Sequence, residues 1–420
     1  MYCNDCHYDI PTLNSKKCPI CGSKNVTQNQ NSKKKSSKGL KTGIGIGVIF
    51  AIIVVVFFIG DFNVPSDTST QIIESSDTEK IILPENSQIQ EEKTVQEENF
   101  LQKEKPPLKE NIQTGYSKQE LYQYALERVN EDRKKHGVLP VNLGTSTSAQ
   151  NHADDQLQNS YFSHWNSKGV KPYVTYTQLG GTASVGENNA FTSTTCPTSN
   201  CISNVWNPYE QIKSHQYGMM YDDAHSNWGH RDNIIDPHHT LVNFGISWNE
   251  NEFYFVQQFE TEIIQWNNLE IVNDRILNLN GKIPSNYKLS SISIFEDSSS
   301  KQVSGTSLNN EFPYNAGYYD QGRFVGMLVE PPQTGYFYEE CSNGKLSTSG
   351  TGGTQCVNYI IYDEIGTQIN QLNIRADVSQ WLSENNLHTI YVTLEDTTTE
   401  ESVQVTSLTL EYLEGGIFYP

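Results

Sequence analysis

Three hydrophobic patterns succeed one another along the chain. From Thr42 to Gly60, nineteen residues carry no charge and read TGIGIGVIFAIIVVVFFIG. As a helix this run would span about 28 Å at about 1.5 Å per residue, close to the thickness of a bilayer's hydrocarbon core. A soluble core helix of that length keeps a polar stripe, and this run has none. The pattern therefore predicts a transmembrane helix over 42–60. From Ser117 the apolar residues Leu121, Tyr124, Ala125 and Val129 fall at three- and four-residue steps, with Arg128 among them, and the pattern stops at Gly137. Ser117 and Glu120 have the spacing of a capping box, so a helix is predicted to start there. A second helix is expected from about Ser146, with Ala149, Ala153 and Leu157 on one face and His152 on the solvated side. FYFVQQFE, with its aromatic and β-branched residues, reads as a strand.

Beyond about residue 265 the period shortens to two. LSSISIF, RFVGMLVEP, NYIIYD, LNIRADV, HTIYVTLED and SVQVTSLTLEYL are short, alternating and separated by Ser, Thr, Asn and Gly turns. They predict a β-sandwich of about seven strands over 264–420, with one helical turn at Asp377–Leu382. The expected fold class is α+β over 115–263, followed by an all-β domain.

Charge orients the apolar run. The chain carries 29 Lys+Arg against 49 Asp+Glu, for a formal charge of −20. Residues 1–43 hold eight Lys and two Asp, hence +6, which leaves −26 for the rest. Lysines of the basic segment 27–41 immediately precede the run, so the positive-inside rule puts the N-terminus in the cytoplasm and residues 61–420 outside a plasma membrane crossed once. Residues 61–114 carry twelve acidic residues and five Lys with few aromatics. Such a segment cannot repay the entropy of ordering and reads as a tether, reaching about 40 Å as a random coil. The acidic ectodomain is not expected to bind nucleic acid, since neutralising phosphates takes Lys and Arg.

The eight cysteines divide at the same line. Cys3, Cys6, Cys18 and Cys21 form C-x2-C-x11-C-x2-C on the reducing side. Four thiolates at that spacing suit tetrahedral Zn²⁺, and a segment of that length depends on the metal to fold, so residues 1–26 are expected to be a structural zinc site. The segment resembles the short zinc ribbon at the N-terminus of many archaeal and bacterial membrane proteins. Outside, Cys196 with Cys201 and Cys341 with Cys356 are expected to form two local disulfides.

Residues 116–262 carry a series of short motifs. V-N-x-x-R-x-x-H-G begins at Val129, S-x-x-A-Q-x-H-A at Ser146 and F-S-H at Phe162; G-E-N follows at Gly186, G-H-R-x-N-I at Gly229 and F-G-I-S-W at Phe244. In that order they resemble the CAP superfamily of cysteine-rich secretory, antigen 5 and pathogenesis-related-1 domains, also called SCP, in its prokaryotic form. The resemblance implies an α-β-α sandwich with one solvent-accessible cleft, lined at the positions of His164, Glu187 and His230. The family's fourth position is a Glu in a W-x-x-E helix just before G-H. This motif is absent here, and Asp222 stands in that register with Asp223 beside it.

Two imidazoles with one or two carboxylates suit a divalent metal or an acid–base set. Glu187 can equally be a buried carboxylate capping backbone amides, and both readings stay open. Asn188, Arg231, Asp232 and Asn233 read as turn formers, and His225, His238 and His239 as exposed loop residues. The chain has no H-E-x-x-H, G-x-S-x-G or P-loop motif. Three functions fit: a surface module binding a metal, lipid, envelope component or peptide; a hydrolase of peptides or phosphodiesters; or an adhesive ectodomain.

Overall fold

The computed structural model describes residues 2–3, 26–27, 115–193, 207–315, 318–341, 343–350, 353–364, 370–413 and 416–418. The predicted membrane span 42–60, the tether, the Cys196–Cys201 pair and the ribbon cysteines other than Cys3 lie outside these residues. Near the N-terminus, β1 (Tyr2–Cys3) pairs antiparallel with β2 (Val26–Thr27). Among the described residues no helix is long and apolar enough to cross a membrane.

The central region opens with α1 (Lys118–Lys135), which buries Leu121, Ala125 and Val129 as their spacing predicts. Ser117 is its N-cap with extended backbone, but its side chain caps no amide, so the capping box does not form. Next come β3 (Asn142–Leu143), α2 (Ser148–Asn159), α3 (Pro172–Gln178) and β4 (Ser184–Ser193). Then follow α4 (Pro208–Tyr221), α5 (Gly229–Ile235), β5 (Leu241–Trp248) and β6 (Glu252–Thr261). The four strands form one sheet in the order β3-β5-β6-β4.

Both faces of that sheet are covered. Phe253, Phe255 and Phe259 of β6 join Val242, Phe244 and Ile246 of β5 in a core with α1, α4 and α5. The alternate residues Tyr254 and Val256 meet Ala149 and Ala153 of α2 on the other face. Residues on both faces of β6 are buried, Gln257 and Gln258 among them, so this strand has no exposed polar face. Helix α2 lies close on β5 at Gly245, where a Cβ would stand 2.0 Å from the carbonyl oxygen of Ala149.

The C-terminal region is β-rich. Strands β7 (Gln265–Val272), β8 (Ile276–Lys282) and β9 (Tyr287–Ser298) precede a short helix α6 (Gly305–Asn310) and β10 (Arg323–Val329). Next are β11 (Leu346–Gly350), β12 (Gly353–Val357), β13 (Tyr359–Ile361), β14 (Asp363–Glu364) and β15 (Gln371–Asp377). The last are β16 (Asn386–Asp396), β17 (Ser402–Leu413) and β18 (Gly416–Phe418). A six-stranded sheet, β13-β10-β9-β16-β17-β18, and a four-stranded sheet, β14-β15-β8-β7, enclose one core through Ile292, Ile294, Ile390 and Val392 on one side and Leu277, Leu279 and Ile374 on the other. The predicted turn is a short 3-10 helix at Ser379–Trp381. Cys341 and Cys356 form a disulfide that staples the β11–β12 hairpin.

The two regions share polar contacts. Thr177 of α3 donates from Oγ1 to the Ser407 carbonyl at 2.9 Å, and Gln404 of β17 donates to Ser184 Oγ at 2.8 Å. Gly245→Ala tests the tight α2–β5 contact. Overpacking against backbone costs about 1–3 kcal/mol, so the midpoint of thermal unfolding, followed by circular dichroism, should fall by several degrees.

Candidate functional site

The site is organised around Glu187, which β4 places in the sheet opposite Gln258 of β6. Its side chain is 0 % exposed, yet its carboxylate has three donors. His164 Nδ1 lies 2.8 Å from Oε1, His152 Nδ1 lies 2.9 Å from Oε2, and Gln258 Nε2 donates to Oε2 at 2.8 Å. A carboxylate ion only accepts, so each imidazole carries a proton on Nδ1. Burial alone would raise the Glu187 carboxyl, but the charge and hydrogen bonds of His152 and His164 outweigh it and hold the group down at about 2. Burial likewise pushes His152 down, and the charge and hydrogen bond of Glu187, with Asp155 nearby, hold it above its ordinary value instead.

A second pair repeats the arrangement. Asp223 is 1 % exposed and accepts from His230 Nδ1 at 2.7 Å through Oδ1. Its Oδ2 accepts from the backbone amides of His230 and Arg231 at 2.9 and 3.3 Å, so this side chain also ties down the start of α5. His164 and His230 therefore both spend Nδ1 on a carboxylate and keep the Nε2 lone pair. Both face one cavity of about 320 Å³, whose walls include Asn188, Ser226, Asn233 and Tyr319.

Of the residues expected at the cleft, His164, Glu187 and His230 come together. Asp222 does not. Helix α4 ends at Tyr221, and Asp222 at its C-cap is exposed, while the chain turns so that Asp223 faces His230. The Glu187 carboxylate takes its bonds from two imidazoles and the Gln258 side chain rather than from backbone amides. His152 is buried rather than solvated, because it falls on the same buried stripe as Ala149, Ala153 and Gln156. Asn188 is not a turn former: it lies within β4 and donates to the His230 carbonyl at 3.0 Å. His239 is only partly exposed, with its ring stacked 5.3 Å from Phe259 and Nε2 2.9 Å from Asn233 Oδ1. His225 is exposed, as expected. Among the described residues no group of three or more His, Cys, Asp or Glu side chains converges as a metal centre.

Residues 126–259 match the family model of the cysteine-rich secretory protein family, CAP. This stretch is a CAP domain. Among solved structures, the chain is similar to an extracellular protein containing an SCP domain from Bacillus anthracis, at 18% identity and a TM-score of 0.27 over 34% of this chain and 41% of that one. It is similar to the CAP domain of Enterococcal PrgA at 17% identity and a TM-score of 0.24, covering 34% of this chain and 60% of that one. A structure of NaASP2 with Zn²⁺ matches at 13% identity and a TM-score of 0.24, over 36% of this chain and 83% of that chain. The match thus spans less than two thirds of the first two structures. No curated protein matches the chain.

Glu187→Gln should destabilise the CAP domain strongly, because it leaves a buried imidazole without its counter-charge, a change that costs about 3–5 kcal/mol at buried pairs. The pH dependence has a definite sign. A carboxyl lowered from 4.5 to about 2 stabilises the fold above pH 4.5 and loses that contribution as pH falls toward 2. An imidazole raised above 6.5 contributes below pH 6.5 and loses its contribution as pH rises through the raised value. In chelator-treated protein, the gap in unfolding temperature between wild type and Glu187→Gln should be widest between pH 4.5 and 6.5 and should narrow on either side.

Proposed function

We propose that the chain is a membrane-tethered extracellular binding module whose CAP cleft takes a divalent cation on Nε2 of His164 and His230. The observation that carries this reading is the doubled carboxylate–imidazole arrangement. Glu187 and Asp223 each fix the tautomer of one histidine, and both histidines line a single cavity. Outer carboxylates of this kind commonly orient histidines toward zinc. Two neutral imidazoles suit Zn²⁺ or a similar borderline cation better than Ca²⁺, which favours oxygen ligands. With two protein donors, the remaining positions are open to water or to a ligand's own donors, and a bound cation would polarise such a ligand.

Among the described residues these contacts offer no serine or cysteine nucleophile for hydrolysis. Both carboxylates nearest the cleft histidines are engaged by imidazoles, and neither imidazole is hydrogen-bonded to a serine or cysteine among the described residues. The tethering half of the reading rests on sequence: the apolar run 42–60, the basic head before it and the zinc-ribbon spacing of Cys3, Cys6, Cys18 and Cys21. Lipid, envelope or peptide molecules remain the classes of ligand to be sought for the ectodomain.

Calorimetric titration of Zn²⁺ into the detergent-purified full chain tests the cleft. The His164→Ala/His230→Ala double variant should bind one equivalent fewer than wild type, with any ribbon zinc unchanged. Protons compete with the metal for the same lone pairs, so the cleft equivalent should weaken on acidification. Equal stoichiometry in the two proteins would refute the metal reading. Orientation is tested separately: protease added to intact cells should release a soluble fragment containing residues 115–420, and full protection of that region would overturn the topology.

A further inference from the structure

The CAP cleft is not walled by the CAP domain alone. Tyr318 and Tyr319, carried between α6 and β10, line the same cavity as His164 and His230. The ring of Tyr319 meets the His164 imidazole edge-on, with centroids 5.2 Å apart at 63°. Tyr319 also packs against the cluster formed by Val170, Tyr173, Val174 and Leu387.

The chain around Tyr319 is anchored on both sides of His164. Before it, Ser163 Oγ donates to the Tyr314 carbonyl at 2.6 Å, and the Tyr314 ring lies edge-on to Trp165 at 5.3 Å. Just after it, Lys171 Nζ donates to Asp320 Oδ1 at 2.5 Å and to Asp297 Oδ1 at 2.7 Å. Lys171 is itself 2 % exposed. The immediate neighbours of His164 in sequence are thus bonded to the segment that supplies Tyr319.

We infer that Tyr319 is a positioning residue of the CAP cleft, and that the C-terminal region is therefore part of the site. An imidazole held only by Nδ1 on Glu187 can still swing about that hydrogen bond. The ring edge of Tyr319 removes this freedom and fixes Nε2 of His164 for the cavity. This inference deepens the cation-binding reading, but its first consequence is independent of metal. Without Tyr319, His164 should keep its Nδ1 proton on Glu187 but cease to hold one fixed ring orientation.

The experiment uses the full chain labelled with ¹⁵N-histidine, freed of metal by chelator, with His164 assigned by its loss in His164→Gln. Wild type and Tyr319→Phe should show one His164 tautomer, protonated at Nδ1. Tyr319→Ala and Tyr319→Leu should keep that tautomer but show His164 ring resonances broadened by exchange between ring orientations. Zinc titration of the same proteins should find the His164- and His230-dependent equivalent weakened about 10–100-fold in Tyr319→Ala, the range for loss of a group that orients a ligand. Tyr319→Phe should bind like wild type. Thr406→Val, which removes the Thr406 Oγ1–Thr182 carbonyl bond between the same two regions away from Tyr319, should leave both readouts unchanged. His164 ring resonances as sharp as in wild type in both Tyr319→Ala and Tyr319→Leu would overturn the inference. Broadened His164 resonances in those variants with no histidine-dependent zinc in wild type would instead refute the cation reading and leave the role of Tyr319 standing.

Discussion

A buried carboxylate is the constraint on which the site depends. Glu187 sits inside a packed sheet where an unpaired charge would be very costly, and it stays ionised because His152, His164 and Gln258 converge on it. Those three partners come from α2, from the segment after α2 and from β6. One side chain thus fixes the mutual placement of three parts of the CAP domain. It also sets which nitrogen His164 presents outward. Stability and chemistry here are two readings of the same hydrogen bonds. Asp223 plays the equivalent part for His230 while also tying the first amides of α5.

Much of this fold was legible in the sequence because burial leaves a period. The stripe of Leu121, Ala125 and Val129 gave α1, and the alternation of the C-terminal segments gave two packed sheets around one core. The capping box was not legible, since the spacing of Ser117 and Glu120 is necessary for the bond but does not make it. At the site, His164, Glu187 and His230 were identified through motif resemblance, because only tertiary structure joins them. The replacement of Asp222 by Asp223 turns on where α4 stops. Helix ends are set by local bonding that residue spacing does not encode to within one position.

His152 shows a different kind of loss. Its place three residues after Ala149 and four before Gln156 was a signal, since residues at those steps share a helix face. A polar residue on a buried stripe implies a buried partner, and Glu187 is that partner. The contribution of Tyr319 had no signal at all in the sequence. Nothing in the local pattern of a tyrosine between a short helix and a strand indicates which surface it will meet. Contacts between regions far apart in the chain depend on complementarity of whole surfaces, and that is invisible to periodicity.

The pairing of Lys171 with Asp297 and Asp320 carries a consequence for the order of events at the ribosome. A chain made from its N-terminus completes the CAP sheet once residue 261 has emerged, while both acidic partners of Lys171 are still unmade. Domains tend to fold as they emerge. For that interval the newborn CAP domain holds an ammonium group with no counter-charge in a position destined for the interior. Desolvating it must wait until β9 and the segment before β10 arrive. The cleft is therefore born open on one side and acquires its last wall from residues synthesised more than a hundred positions after His164.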